Sequence, residues 1–119
     1  MIKIKITGKE YFAFMSIIAN INQATKVEGT EMFFIKQALS SLFRTLAKKI
    51  LSAGAEAIKY KKSVTLQLTY EQFRAIDFMK DTPFHSLDIY YAVLLQHVWE
   101  AGRKQIDQEL RLQMYGIQN

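Results

Sequence analysis

An alternating stretch that occurs twice constrains this chain more than any other feature. Ile2-Lys3-Ile4-Lys5-Ile6-Thr7-Gly8-Lys9-Glu10-Tyr11 and Val64-Thr65-Leu66-Gln67-Leu68-Thr69-Tyr70-Glu71-Gln72-Phe73 align without a gap when Ile2 is set on Val64, apolar on apolar and threonine on threonine. Apolar side chains recur at every second position of each stretch, the period of a strand buried on one face only. Each stretch then reaches a threonine followed three residues later by Glu or Gln, Thr7-x-x-Glu10 and Thr69-x-x-Gln72. This is the capping box, in which the hydroxyl accepts from the N3 amide while the N3 side chain reaches back to the cap amide. Two strand-to-helix junctions are therefore predicted.

The helices that follow carry their apolar residues at helical spacing: Tyr11, Phe14, Ile17, Ile18 and Ile21 in the first copy, Phe73, Ile76 and Met79 in the second. Beyond Thr82 the offset falls from 62 to 56, which assigns six extra residues to the connection from Asn20 to Gly29 and makes that connection the expected mobile loop. Thr30 and Ser86 then coincide as candidate N-caps, and Leu42, Phe43, Lys48 and Ile50 fall on Val98, Trp99, Lys104 and Ile106. The second helix is expected to run to about Ser52 and to stop at Ala53-Gly54. The fourth is expected from about Leu87 to Met114, with Gly116 as its stop. The reading is β-α-α-β-α-α, an α+β fold that is predominantly helical. It is built as a tandem pseudo-repeat of halves 1–54 and 58–116 about an approximate two-fold axis. Its small sheet is covered on one face by four helices.

At 119 residues, half of them hydrophobic, the chain is long enough for one core and too short for two, so residues 1–119 form a single domain. No Pro/Gly/Ser-rich linker divides it, and Pro83 is its only proline. Cysteine is absent, which excludes disulfides, thiolate zinc sites and thiol nucleophiles and fits a reducing cytoplasm. Lys3, Lys5 and Lys9 before an apolar stretch imitate a signal peptide, but Glu10 borders that stretch and no small-x-small cleavage site follows. The longest uncharged run, Tyr11 to Thr25, falls short of the about 20 apolar residues a bilayer requires. A cytoplasmic protein that does not enter the membrane is expected.

The net charge of +5 is local: Arg44, Lys48, Lys49, Lys59, Lys61 and Lys62 face only Glu56 within residues 44–62, and the remaining ten basic and ten acidic residues balance. Lys48 and Lys49 suit the negative end of a helix without any partner. Together the six are also a candidate anion-binding or nucleic-acid-binding ridge, to which Lys3 and Lys5 add if the strands pair. Tyr60 is the single aromatic among them, so the interleaved stacking residues typical of single-strand binding are missing.

Ile58, Tyr60, Lys62, Val64, Leu66 and Leu68 share one parity, which predicts a second strand about twice the length of the first. Such an overhanging edge invites another strand, most simply from a second copy. The lysines at 59, 61 and 62 also suit the opposite purpose of blunting that edge. In the fourth helix Ile89, Tyr90, Tyr91, Val93, Leu94, Leu95, Val98 and Trp99 surround nearly the whole circumference, as in a helix covered on all sides. Its continuation keeps Ile106, Leu110 and Met114 on a stripe. Ile58, Tyr60, Ile106, Leu110 and Met114 are thus the candidates for self-association, and a homodimer is expected.

Chemistry is sparsely written. His85 and His97 lie twelve residues apart and do not converge on one helix. His97 and Glu100 form half of a helical metal site, without the facing carboxylates that a di-metal bundle requires. Ser40 and Ser41 sit in a helical stripe with no glycine-flanked elbow, and the five glycines are isolated, so no phosphate-cradling loop is present. No catalytic residue, metal or cofactor is assigned. The expectation is a non-enzymatic protein acting through self-association and a protein partner. The alternative is nucleic-acid binding through the basic ridge, and a third class is small-ligand binding between the helix layers.

Overall fold

Period-two alternation and the two capping boxes organise the observed architecture. A computed structural model describes residues 1–24, 26–80 and 89–117. The order is β1 (Ile2–Ile6), α1 (Gly8–Ala24), α2 (Thr30–Ala53), α3 (Ala55–Lys59), β2 (Val64–Leu68), α4 (Tyr70–Met79) and α5 (Ile89–Ile117). The fold is α+β and mostly helical, with one two-stranded antiparallel sheet. Ile2 pairs with Leu68, Ile4 with Leu66 and Ile6 with Val64, so all six apolar strand residues share one face and are buried. Lys3, Lys5 and Gln67 stay exposed on the other face.

Both capping boxes form. The Glu10 amide donates to Thr7 Oγ1 at 3.1 Å and the Thr7 amide to Glu10 Oε1 at 2.8 Å. The Gln72 amide donates to Thr69 Oγ1 at 3.1 Å and the Thr69 amide to Gln72 Oε1 at 2.9 Å. Each box satisfies two donors at the point where the strand turns into the helix, which fixes the angle between the two elements. Beneath the strands, Tyr11, Phe14, Ile17, Ile18 and Ile21 of α1 form one core with Leu39, Leu42 and Leu46 of α2, Phe73, Ile76 and Met79 of α4, and Leu94, Leu95 and Val98 of α5. The buried Tyr11 hydroxyl donates to the Leu46 carbonyl at 2.9 Å. Across α4 and α5, Trp99 Nε1 donates to Asp77 Oδ1 at 2.6 Å and Lys80 Nζ lies 4.0 Å from the indole ring.

Several boundaries depart from the sequence reading. Helix α1 continues to Ala24, so Asn20 to Ala24 are helical and not loop: Ile21 extends the buried stripe and Asn22 Nδ2 donates to Ser40 Oγ at 3.0 Å. Thr30 is not the cap of α2. Gly29 takes that place at φ 91°, with no side-chain cap bond, and Thr30 opens the first turn. The α2 helix does end at Gly54, whose amide donates to the Ile50 carbonyl at 2.8 Å. Helix α5 runs through Gly116 to Ile117, so Gly116 is not its stop. Pro83, His85, Ser86 and Leu87, with the start expected for this helix, lie outside the described residues.

The expected long second strand is replaced by helix α3. β2 begins at Val64 and equals β1 in length, while Ile58 lies in α3 and is 0% exposed. Ile58 falls in phase with the strand because a residue six positions before Val64 has its parity, but its burial comes from a helical turn folded back on α1. That turn comes very close. A Cβ at Gly8 would lie 1.9 Å from the Ile58 carbonyl oxygen, and the Gly8 amide donates to the Lys61 carbonyl at 2.9 Å. Nor is α5 covered all round, since Leu94, Leu95 and Val98 are buried while Ile89, Tyr90 and Val93 are exposed.

Gly8→Ala is expected to lower stability by about 2 kcal/mol or more, since the obstacle is backbone that must move. The midpoint of urea unfolding measures it, and an unchanged midpoint would show that α3 does not depend on this approach. Burial raises the Tyr11 hydroxyl from 10.0 to about 12. The unfolded chain therefore releases this proton first as pH rises, and the stability Tyr11 contributes is present below pH 10 and lost towards 12. Tyr11→Phe is expected to cost about 1 kcal/mol at neutral pH and to flatten the decline between those two values relative to the parent. Parallel unfolding curves of the two proteins at stepped pH read the difference, in which any pH effect common to both cancels.

Candidate functional site

Three surface features are candidates: the sheet edges, the basic residues and the exposed apolar helix surfaces. A two-stranded sheet has an open edge on each strand, with backbone groups free to recruit another chain. Here one side chain reaches each edge. The Lys3 amide donates to Gln105 Oε1 at 2.9 Å and Gln105 Nε2 donates back to the Lys3 carbonyl, so one amide side chain from α5 imitates the peptide of a third strand. On the other edge Lys49 of α2 donates from Nζ to the Thr65 carbonyl at 3.0 Å and lies 5.7 Å from the Tyr11 ring centroid.

That assignment divides the basic set. Lys49 is engaged with the sheet edge, and Lys59 Nζ lies 5.9 Å from the ring of its neighbour Tyr60. Arg44 and Lys48 lie one turn apart on the exposed side of α2, while Lys61 and Lys62 follow α3. Among the described residues, none of Arg44, Lys48, Lys59, Lys61 and Lys62 is ion-paired to a carboxylate.

The self-association candidates also separate. Ile58 belongs to the core and offers nothing to a second copy, and Ile106 is half-buried against it. Tyr60 is exposed beside the turn after α3. Leu110 and Met114 are exposed near the end of α5. They belong to a larger set that the stripe did not reveal, because Leu112 and Tyr115, 70% and 68% exposed, lie on other sides of the same two turns. Every residue from Leu110 to Tyr115 is exposed, so α5 outruns the core that positions it. One turn earlier Tyr70 donates its hydroxyl to Glu109 Oε2, which anchors α5 at the start of α4 and, chiefly through that bond, raises the Tyr70 hydroxyl above its ordinary value.

Between α2 and α4 lies an open groove of about 1490 Å³. Phe34, Ile35 and Ala38 meet Ala75 and Phe78 along it, with Glu31, Glu71 and Asp77 among its polar residues and Arg44 and Arg74 on its walls. Gln72 Nε2 reaches Ser41 Oγ at 3.4 Å within it. Sequence reasoning missed this groove, although Phe34 gave a signal: it falls outside the stripe of Ile35, Leu39, Leu42 and Leu46. As for chemistry, His97 is exposed, and Glu100 accepts from Gln96 Nε2 at 3.0 Å. Among the described residues no three His, Cys, Asp or Glu side chains gather as a metal site, and no helix is long and apolar enough to cross a membrane.

No family model, curated protein or solved structure is significantly similar to the chain.

Gln105→Ala removes both bonds to Lys3. It is expected to cost about 1 kcal/mol and to increase aggregation on prolonged incubation, because the β1 edge is then uncovered. Gln108→Ala, on the exposed side of the same helix, serves as the control. Equal behaviour of the two variants in urea unfolding and light scattering would remove Gln105 as an edge cap.

Proposed function

We propose that this is a non-enzymatic, internally duplicated protein that works by association, with a second copy of itself and through that assembly with a protein partner. The observation that carries the reading is the exposed apolar surface at the end of α5, where Leu110, Leu112, Met114 and Tyr115 lie uncovered on two turns that contribute nothing to the core. Leu110 and Met114, one turn apart, share a side of these turns, and large apolar side chains left exposed together mark interaction surfaces. Each sheet edge is capped by a side chain at one residue, Lys3 and Thr65, which favours association through helices over strand addition.

Duplication is supported by contacts that recur at the two sequence offsets. Ile4 pairs with Leu66, its own counterpart at the first offset, so the pair Ile2 and Leu68 maps onto Val64 and Ile6. Buried Leu39, Leu42 and Leu46 correspond, at the second offset, to buried Leu95, Val98 and Gly102. Tyr11 bonds the Leu46 carbonyl, and their counterparts Phe73 and Gly102 approach so closely that a Cβ on the glycine would lie 2.3 Å from the ring. The edge caps obey the same operation: Lys49 and Gln105 are related by the second offset, and the strand residues they hold, Thr65 and Lys3, by the first. Each long helix thereby caps the strand of the other half.

A second reading, phosphate binding, is favoured by Arg44, Lys48, Lys59, Lys61 and Lys62, none of which is ion-paired to a carboxylate among the described residues, and nucleic acid is the ligand it implies. One experiment separates the two. Light scattering on a size-exclusion column is expected to give twice the 13.8 kDa of the chain, with Leu110→Glu/Met114→Glu reverting to the monomer and unfolding as the parent does. A parent monomer at all concentrations would sink the association reading. Retention on a mixed-sequence oligonucleotide that collapses with salt, and is lost in Lys59→Gln/Lys61→Gln/Lys62→Gln, would establish the other.

A further inference from the structure

The exposed end of α5 and the groove between α2 and α4 are two surfaces that the core does not explain, and the second offset marks where the first of them begins. Helix α2 ends at Ala53, whose counterpart at the second offset is Glu109, so residues 110–117 are a surplus of α5 with no equivalent on α2. After Ala53 the first half spends its next residues on α3, which folds back on α1 because Gly8 has no side chain to obstruct the Ile58 carbonyl. The counterpart of Gly8 is Tyr70. Its phenol instead bonds Glu109, which ties the root of the surplus turns to the start of α4. The surplus turns carry Leu110, Leu112, Met114 and Tyr115, all of them exposed.

We propose that these turns, as a helical arm, seat in the α2–α4 groove of a second copy of this chain, each copy giving one arm and receiving one. The proposal rests on the association reading above and adds the occupant and its receptor. The groove is the right size: two turns of helix about 10 Å across and about 11 Å long occupy on the order of 900 Å³, against about 1490 Å³ between α2 and α4. Its exposed Phe34 and Phe78, with Ala38 and Ala75 between, supply an apolar bed with room for backbone to approach. Charge agrees as well. Arg111 is the sole charged residue of the arm, and the groove residues Glu31, Glu71 and Asp77 outnumber Arg44 and Arg74. Tyr70 lines the groove and holds the root of the arm on the same molecule, so donor and receptor surfaces adjoin and a two-fold exchange would join both into one isologous interface.

The absence of cysteine makes the test clean. Leu112→Cys on the arm and Gln37→Cys in the groove are introduced into separate full-length chains, mixed and oxidised. A disulfide-linked dimer containing one of each chain is expected. Leu112→Cys mixed with Leu51→Cys, exposed but outside the groove, is expected to give none above background. Phe34→Glu, at a position 64% exposed, is expected to weaken dimerisation about tenfold or more while leaving thermal unfolding of the monomer unchanged. A dimeric parent that forms no mixed cross-link, and is indifferent to Phe34→Glu, would overturn the arm-in-groove arrangement and leave the association reading standing. A monomeric parent would overturn both.

Discussion

Everything in this fold depends on satisfying a sheet of two strands. A ribbon of that size is marginal in water, because one face is apolar and both edges carry unpaired backbone groups. The helices cover the face and cap each edge at one residue. α1 and α4 descend directly from the strands through the capping boxes and cover the face. α2 and α5 cross to the far edges, where Lys49 holds the Thr65 carbonyl and Gln105 holds both backbone groups of Lys3. Because these caps lie late in the long helices, the position of each helix along its own axis is tied to the strand it serves. A slip by one turn would uncouple the cap even if the apolar stripe still found the core.

That coupling changes how the surface is read. A lysine near the end of α2 looks in sequence like one more member of a basic cluster, but Lys49 acts as an edge cap that also lies over Tyr11. Apolar residues near the end of α5 look like a continuation of a packing stripe, but from Leu110 onward there is no layer left for them to pack on. In each case the function of the residue is decided by how far the helix extends past the sheet, a quantity that composition does not contain.

Much of the architecture is nonetheless legible in the chain. Period-two alternation identifies both strands, while their antiparallel pairing, with Ile4 against Leu66, is seen only in the structure. The threonine junctions identify the two caps, and the helical stripes identify nearly all of the core. What escapes such a reading has physical causes. Parity alone does not distinguish a strand from one helical residue placed six positions upstream, which is why Ile58 and Tyr60 read as strand. The α2–α4 groove is a relation between helices distant in sequence, with Phe34 its lone local trace. The edge caps escape because glutamine and lysine have no periodic signature: their significance lies in reaching a backbone 102 residues away in one case and 16 in the other.

Under the proposed duplication, the differences between the halves carry more information than the likenesses. Likeness is demanded by the shared sheet: residues that pack on it or cap it are constrained alike on both sides of the two-fold. Divergence is free only beyond the caps, and that is where it occurs. The first half leaves its long helix at Gly54, turns, and buries Ile58 against the backbone at Gly8. The second half has Tyr70 in place of Gly8, continues its helix for two further turns and leaves them bare. At these corresponding positions Gly8 lies against the folded-back turn and Tyr70 bonds Glu109 of the long helix. Ile58, which α3 turns inward in the first half, has the exposed Met114 as its counterpart at the second offset, and an apolar helix end turned outward in this way marks a candidate interaction surface.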